Sequence, residues 1–338
     1  MSNVQCQKTD VRGHWIWLSI AYSVTYMPTL ALTNSLTMVH LKDPKREFPL
    51  IRNWGSVGWI LVGWLFSIFW LQHQWHSQSF PPFIGGPDVP NAVHRLSDAL
   101  RFSGVISIAY ACFCLFLPHT PPKRDAVERL AFAKAFALLR KPSFALLVLA
   151  SLPISMIHQI YLMKAGQFLV AIGLKDSLMG QVLSLGQFSQ LAVMVLLGLL
   201  ITRLGFRWVI VLGCLAYAAR YLVFGLPGVP LSWAVAAILL HGVCYACFFI
   251  GAFIYVDRIA PADARHSTQT VFGIVILGGG PVAGGYLLKI LQPVFTLPGG
   301  GVNYSGFWLT LAAVALVTAV VLGVFFRDES RPANVNGQ

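Results

Sequence analysis

The chain has 338 residues, of which 57% are hydrophobic and only 11% are charged, and its mean hydropathy is +0.69. Soluble domains carry about 25% charged residues, so this composition excludes an ordinary soluble protein and indicates an integral membrane protein. The net charge of +12 does not indicate nucleic-acid binding, because the basic residues lie in short segments between apolar stretches and form no aromatic-laced patch.

Nine apolar stretches are long enough to cross a bilayer, because an α-helix needs about 20 residues to span the hydrocarbon core. A β-barrel would need shorter, alternating strands, which the sequence lacks. The predicted fold class is therefore an all-α integral membrane protein. In chain order, the transmembrane helices are expected near residues 15–39, 54–72, 99–117, 143–165, 179–201, 208–226, 232–256, 270–292 and 306–326.

Most of the Lys and Arg residues lie on one side of these helices. Alternate connections carry them, in segments 41–52, 119–142, 203–207, 258–265 and 327–331. The positive-inside rule predicts that this side is cytoplasmic, and with it the C-terminus. Met1 would then lie outside, which is unfavourable for an uncleaved, basic N-terminus, so we expect further helices upstream.

The longest basic segment divides the chain unequally. We interpret 119–142, which opens with Pro121-Pro122, as a cytoplasmic central linker. Residues 1–118 would form an incomplete N-terminal half of three helices, and residues 143–338 a six-helix C-terminal half with a short cytoplasmic tail. The nine helices would thus match helices 4–12 of a twelve-helix fold.

Polar side chains inside apolar spans are costly, so each is a candidate functional residue. Arg52, Ser56 and Trp59 are spaced i, i+4 and i+7 and share one face of the second predicted helix. A guanidinium, a hydroxyl and an indole together can hydrogen-bond and stack on a planar polar ligand. An arginine that extends to the cytoplasmic interface beside a packing tryptophan explains the same pattern equally well.

Neutral polar residues also lie inside three later spans: His158, Gln159, Gln187, Gln190, His241 and Tyr245. Interhelical hydrogen bonds, worth about 0.6 kcal/mol per pair, explain each residue alone. The set together favours a neutral hydrogen-bonding cavity. No acidic residue lies deep in any predicted span, so His158 and His241 are the candidates for proton exchange.

Other polar or reactive features indicate no chemistry. Arg220 lies deep in its span without an evident carboxylate, and we expect it to bond backbone carbonyls. Cys244 and Cys247 have the spacing of redox motifs, but lie in an apolar span where cysteine packs as a small hydrophobe. Without a Walker motif, a metal-ligand cluster or a hydrolytic triad in the sequence, we expect no enzyme, no catalytic residues, no cofactor and no metal.

Two segments carry a family resemblance. The first is Tyr26-Met-Pro-Thr-Leu-Ala-Leu-Thr-Asn-Ser35 with Phe48-Pro-Leu-Ile-Arg-Asn-Trp-Gly-Ser-Val-Gly58, and the second runs from Val256 to Gln269. Both resemble the nucleoside:proton symporter family of the major facilitator superfamily. The first is similar to the end of family helix four, the following loop and the start of helix five, and the second to the loop between helices ten and eleven.

The resemblance implies a substrate site made by Arg52, Ser56, Trp59, Gln159, Gln187, Gln190, His241 and Tyr245. Arg52, Gln159 and Gln187 match family residues directly. Gln190 and Ala246 stand where the family has acidic residues, which removes two candidates for proton coupling.

We therefore expect a membrane transporter of nucleosides that works by alternating access as a proton symporter. Because the family's carboxylates are missing, a carrier of another polar metabolite, such as a sugar, is one alternative. Because three helices are missing, a truncated remnant that does not transport is another. The expected partners are a small-molecule nucleoside and the lipid bilayer, with no nucleic acid, and the expected state is a monomer. The family implies a multi-pass protein of a bacterial inner membrane.

Overall fold

The computed structural model describes residues 17–18, 21–22, 25, 29, 33, 36–37, 40–41, 44–72, 76–77, 83–86, 89, 92–117, 137–261 and 265–329. The chain forms two compact units. The first comprises Met1–Val57 and Phe116–Pro122, and the second Gly58–Leu115 and Lys123–Gln338. In the first unit, all described positions between 17 and 40 are helical. The predicted helix 15–39 and the predicted linker 119–142 lie largely outside the described residues.

Helix α1 runs over Pro44–Trp70 and contains the predicted helix 54–72. It begins earlier than expected, so the prediction of a basic loop over 41–52 is wrong from Pro44 onward. Proline is favourable in the first turn of a helix, because its fixed φ suits the helix and its missing N–H would be unbonded there.

Short elements follow α1. Two strands, β1 (His76–Ser77) and β2 (Ile84–Gly85), pair antiparallel in a connection for which the sequence predicted no strand. Helix α2 covers Ala92–Arg95, and helix α3 covers Asp98–Cys114, where a helix over 99–117 was predicted. No residue of α3 is buried.

The rest of the second unit is a helical bundle, and among its described residues five helical spans are long and apolar enough to cross a membrane. Single-turn 3-10 helices at Leu138–Arg140 and Asp176–Leu178 precede the first two. The spans are α4 (Pro142–Ala171), α5 (Met179–Phe224), α6 (Leu231–Ile238, Leu240–Val243, a π segment Cys244–Ile250 and Gly251–Ile259), α7 (Arg265–Gly273, a π segment Ile274–Gly279 and Gly280–Val294) and α8 (Tyr304–Phe325).

The segment α5 consists of two helices that meet at Gly205, and they match the predicted helices 179–201 and 208–226. The predicted loop at 203–207 is replaced by a kink at Gly205, whose φ of 80° and ψ of 165° are the only non-helical values inside α5. Glycine adopts a positive φ without the steric cost of a side chain, so one residue turns the chain. All six helices predicted after residue 142 therefore have a helical counterpart.

The interior of the bundle is aromatic at the contact of α4, α5 and α8. Phe168, Phe224 and Trp308 contact one another with ring centroids 4.9–5.5 Å apart. The outward faces stay apolar, with Leu149 69% exposed and Val195 81% exposed. Large contiguous apolar surfaces are rare on soluble monomers, so these faces suit a lipid environment.

Candidate functional site

Arg220, in the second part of α5, is completely buried among polar and aromatic side chains. Its Nη1 lies 3.1 Å from Nδ1 of His241, and its Nη2 donates to the hydroxyl of Tyr221 at 3.2 Å. No Asp or Glu in the described part of the chain forms an ion pair with it. The expectation that Arg220 bonds backbone carbonyls is therefore wrong, because side chains of α6 and of α5 itself are its partners instead.

Tyrosine rings surround the Arg220 guanidinium. Its central carbon lies 3.8 Å from the ring centroid of Tyr161 and 5.0 Å from those of Tyr217 and Tyr221. The hydroxyl of Tyr221 donates in turn to the carbonyl of Ile157 on α4 at 2.9 Å. The negative faces of aromatic rings stabilise a desolvated cation, so this setting holds the charge without a carboxylate.

A layer of flat rings lies beside this arginine. His158 of α4 stacks on His241 of α6 with centroids 5.6 Å apart, and His241 stacks on Tyr245 at 6.1 Å and on Tyr161 at 5.7 Å. Nδ1 of His158 is 2.7 Å from the hydroxyl of Tyr217. Three of the residues predicted for the site, His158, His241 and Tyr245, thus come together in one stack.

The local structure of α6 positions this stack. The π segment Cys244–Ile250 begins just after His241 and carries Tyr245. Segments of this kind occur frequently at functional sites, because the widened turn re-aims the side chains along the helix. On the other side, α5 approaches closely at Gly186, where an added Cβ would lie 3.0 Å from Cβ of His241.

The three predicted glutamines are half-buried: Gln159, Gln187 and Gln190. None of their amides forms a hydrogen bond with the described residues. Gln187 and Gln190 lie beside Gly186 on α5, and the backbone of α6 packs against Gln190 at Gly242. An amide among apolar helices needs a partner for its donors and acceptor, so these side chains are suited to bind water or a polar ligand.

The predicted residues of α1 are placed differently. The side chain of Arg52 lies outside the described residues, and Ser56 is half-buried. Trp59 is 65% exposed and makes no ring contact in the part of the chain that the structure describes. The structure does not bring Trp59 into the ring stack.

Sequence reasoning missed the partners of the stack: Tyr161, Tyr217, Arg220 and Tyr221. A signal was available for three of them, because Tyr217, Arg220 and Tyr221 are spaced i, i+3 and i+4 on one helix face. For Tyr161 the sequence gives no such signal.

A second polar network joins α1 to the start of α5. Trp64 Nε1 donates to Ser184 Oγ at 2.8 Å, and Gln181 Nε2 donates to Ser67 Oγ at 2.7 Å. Ser67 donates in turn to the carbonyl of Ser177. The two backbones approach here at Gly63 and Gly180, where a Cβ on Gly180 would lie 2.7 Å from the carbonyl oxygen of Gly63. We call these residues the α1–α5 contact.

The chemistry of the ring stack is that of a binding site. It offers flat aromatic faces, imidazole nitrogens and amides, which suit a planar ligand with several hydrogen-bonding edges. No group of three or more His, Cys, Asp or Glu among the described residues is placed to hold a metal ion.

Comparisons with known proteins identify the family of the chain. A family model described as "Nucleoside H+ symporter" matches residues 3–331. YegT of Escherichia coli (strain K12) is 31% identical over 95% of this chain and 74% of its own length. The xanthosine permease of the same organism is 24% identical over 94% of this chain and 75% of its own length.

The crystal structure of the nucleoside transporter NupG superposes with a TM-score of 0.71, at 22% identity, over 89% of this chain and 74% of the other. This likeness shows a shared fold, and the apolar spans make the chain a multi-pass membrane protein. The match of the family model to nearly all of the sequence establishes the family. The chain belongs to the nucleoside H+ symporter family.

Proposed function

We propose that this protein carries nucleosides across a membrane by alternating access, coupled to proton entry. The observation that carries the proposal is the stack of His158, His241 and Tyr245, together with three half-buried amides on α4 and α5 that bond no residue the structure describes. A nucleobase is planar and presents several donors and acceptors at its edge, so aromatic faces and amides together match it. NupG and the xanthosine permease, whose names state such substrates, support the same class.

In this proposal the aromatic residues contact the base and the amides select its edge. Tyr245 and His241 stack on the base, and Gln159, Gln187 and Gln190 hydrogen-bond to its polar groups. Arg52, Ser56 and Trp59 of α1 complete the site from the other half. Residues 1–118 act as part of the N-terminal half, 119–142 as the linker and 143–338 as the C-terminal half, which rock about the site.

We also propose an orientation. The positive-inside rule favours a cytoplasmic C-terminus, and the family favours a bacterial inner membrane. The start of α5 and the end of α1 then lie toward the non-cytoplasmic side. The α1–α5 contact would therefore close that side of the substrate pathway.

Proton coupling would use a histidine, because Gln190 and Ala246 leave no carboxylate at the site. His158 fits best. Its Nδ1 bonds the hydroxyl of Tyr217 at 2.7 Å, and a hydroxyl both donates and accepts, so the bond survives when the imidazole gains or loses a proton.

Uptake of radiolabelled uridine into proteoliposomes with an imposed pH gradient tests the proposal. We expect uptake that depends on the gradient, is competed by unlabelled nucleosides but not by sugars, and falls at least about fivefold in Arg52→Ala and Gln159→Ala. Gln167→Ala is the matched control, because Gln167 is an exposed glutamine of the same helix α4 as Gln159. Competition by sugars alone, or full uptake in both site variants, would contradict it.

A further inference from the structure

We propose that Arg220 is a positioning residue that fixes the tautomer of His241, so that the substrate site presents a hydrogen-bond donor at His241 Nε2. The inference rests on the proposed function, since it assumes that the ligand reaches the His241 ring. It adds a residue outside the predicted site and names the ligand chemistry that this ring selects: an acceptor atom, such as a base carbonyl oxygen.

The direction of the bond between Arg220 and His241 follows from chemistry. A guanidinium carries N–H donors and no acceptor, so at 3.1 Å its Nη1 must donate to Nδ1 of the imidazole. Nδ1 must then hold its lone pair toward Arg220. A neutral imidazole carries one proton, so that proton is on Nε2.

The arginine is held so that this direction cannot reverse. Tyr161 lies against one face of the guanidinium at 3.8 Å, and Nη2 is bonded to Tyr221. Tyr221 is itself anchored to the carbonyl of Ile157. All of Arg220 is buried, and moving it would separate the cation from these partners in a low-dielectric interior, which is costly.

The other nitrogen of the ring is available. His241 forms no hydrogen bond in the described part of the chain besides the one to Arg220. Its Nε2 is not among the described side-chain atoms that are both shielded from solvent and without a hydrogen bond. An N–H donor beside the stack of His158 and Tyr245 requires an acceptor from water or ligand. A ligand that offers an acceptor at this position is therefore favoured over one that offers a donor.

His158 provides an internal contrast. Its Nδ1 partner is the hydroxyl of Tyr217, which both donates and accepts, so that bond selects neither tautomer. The two stacked histidines therefore differ in role: His241 is a fixed donor, whereas His158 is free to exchange a proton.

Nitrogen-15 NMR of the full chain, with labelled histidine in lipid nanodiscs, reads the tautomer directly. The His241 signal is assigned by its loss in His241→Asn. We expect the nitrogen-15 chemical shift of Nδ1 to be that of an unprotonated, acceptor nitrogen and the shift of Nε2 to be that of a protonated nitrogen. An acceptor-type Nε2 in the unmodified protein would overturn the inference, and this measurement needs no variant of Arg220 to fold.

Two substitutions of Arg220 then separate positioning from structure. Arg220→Lys keeps a cation that only donates, so we expect the Nε2–H tautomer to persist. Arg220→Gln puts an amide there, which also accepts, so we expect both tautomers. Equal effects of the two variants on the His241 spectrum would overturn the inference. Tyr221→Phe is the control, since it removes the other bond of Arg220 and leaves His241 untouched.

Uridine binding to the same samples tests the donor role. We expect Arg220→Gln to weaken binding about threefold to tenfold more than Arg220→Lys, the range for one neutral hydrogen bond. We also compare uridine analogues that each lack one acceptor oxygen. The analogue that lacks the oxygen bonded by His241 Nε2 should bind the two variants equally. Uridine binding that is the same in both variants overturns the role of Arg220, whereas a correct tautomer without any uridine binding or transport rejects only the proposed function.

Discussion

Helix α5 carries two glutamines, less than two turns apart, that differ in burial and in hydrogen bonding. Gln181 is fully buried and donates to Ser67 in the α1–α5 contact. Gln187 is half-buried beside the ring stack and bonds no described residue. The α1–α5 contact bonds its polar groups to one another, whereas the amides of the candidate site bond no described residue. The same side chain therefore stabilises a helix contact in one place and is available to a ligand in the other.

The largest effect is expected from Gly180→Leu. The added side chain would overlap the carbonyl of Gly63, so α1 and α5 could no longer meet, and alternating access requires this contact to form again in each cycle. We expect uridine uptake to fall to background in proteoliposomes. Gly198→Leu is the control on the same helix, because nothing lies within 4 Å of a Cβ there. Near-normal uptake by Gly180→Leu would show that the contact is not part of the cycle.

Gln181→Ala should destabilise the protein with little effect on substrate affinity. Ser67 loses this donor but keeps Gln72 Nε2 at 3.4 Å and its own bond to the carbonyl of Ser177, so we expect the loss of one net hydrogen bond, about 0.5–1.5 kcal/mol of unfolding free energy. Thermal unfolding in detergent measures the change, and Gln167→Ala, at an exposed position, should change stability by no more than about 0.5 kcal/mol. A selective rise in KM without lower stability would contradict the division between the two regions.

Gln187→Ala should give the reverse result. No hydrogen bond to a described residue is lost, so stability should stay within about 0.5 kcal/mol of the parent, while KM for uridine rises about fivefold as one ligand bond disappears. Initial uptake rates against uridine concentration supply KM. An unchanged KM would remove Gln187 from the site.

The smallest effect is expected from Ser189→Ala, two residues after Gln187 on α5. Its hydroxyl donates to the carbonyl of Leu239 and links α5 to α6 beside the stack. That carbonyl can bond water or backbone instead, so we expect a loss of about 0.5–1 kcal/mol in stability and less than about a twofold change in KM. A larger change in KM would mean that this bond sets the distance between Gln187 and His241.

The helices were predictable because each is a long apolar run, and each predicted helix after residue 142 has its counterpart. Their ends were less predictable. The two predicted helices of α5 are connected more tightly than expected because Gly205 alone makes the turn between them, and α1 extends back to Pro44 through residues whose charge suggested a loop. Charge marks a membrane boundary, and a helix continues past that boundary without penalty.

Part of the candidate site was also predictable. Polar residues inside apolar spans drew attention to His158, His241 and Tyr245, and the structure stacks them. Their dependence on Arg220 was not visible, because the arginine lies on another helix and its partners are aromatic. A sequence search for a carboxylate partner misses a cation that tyrosine faces stabilise.

The sequence by itself determined a membrane-embedded helical bundle, the family and the residue types available for a polar site. Composition, span length and motif are local properties of the chain, so they are readable without coordinates. Only the tertiary structure decided which of these residues meet, that Arg220 donates to His241, and that Gln181 is bonded whereas Gln187 bonds no residue in the described part of the chain. The physical reason is that a hydrogen bond between helices depends on helix rotation and crossing, which are set by packing between segments distant in the chain.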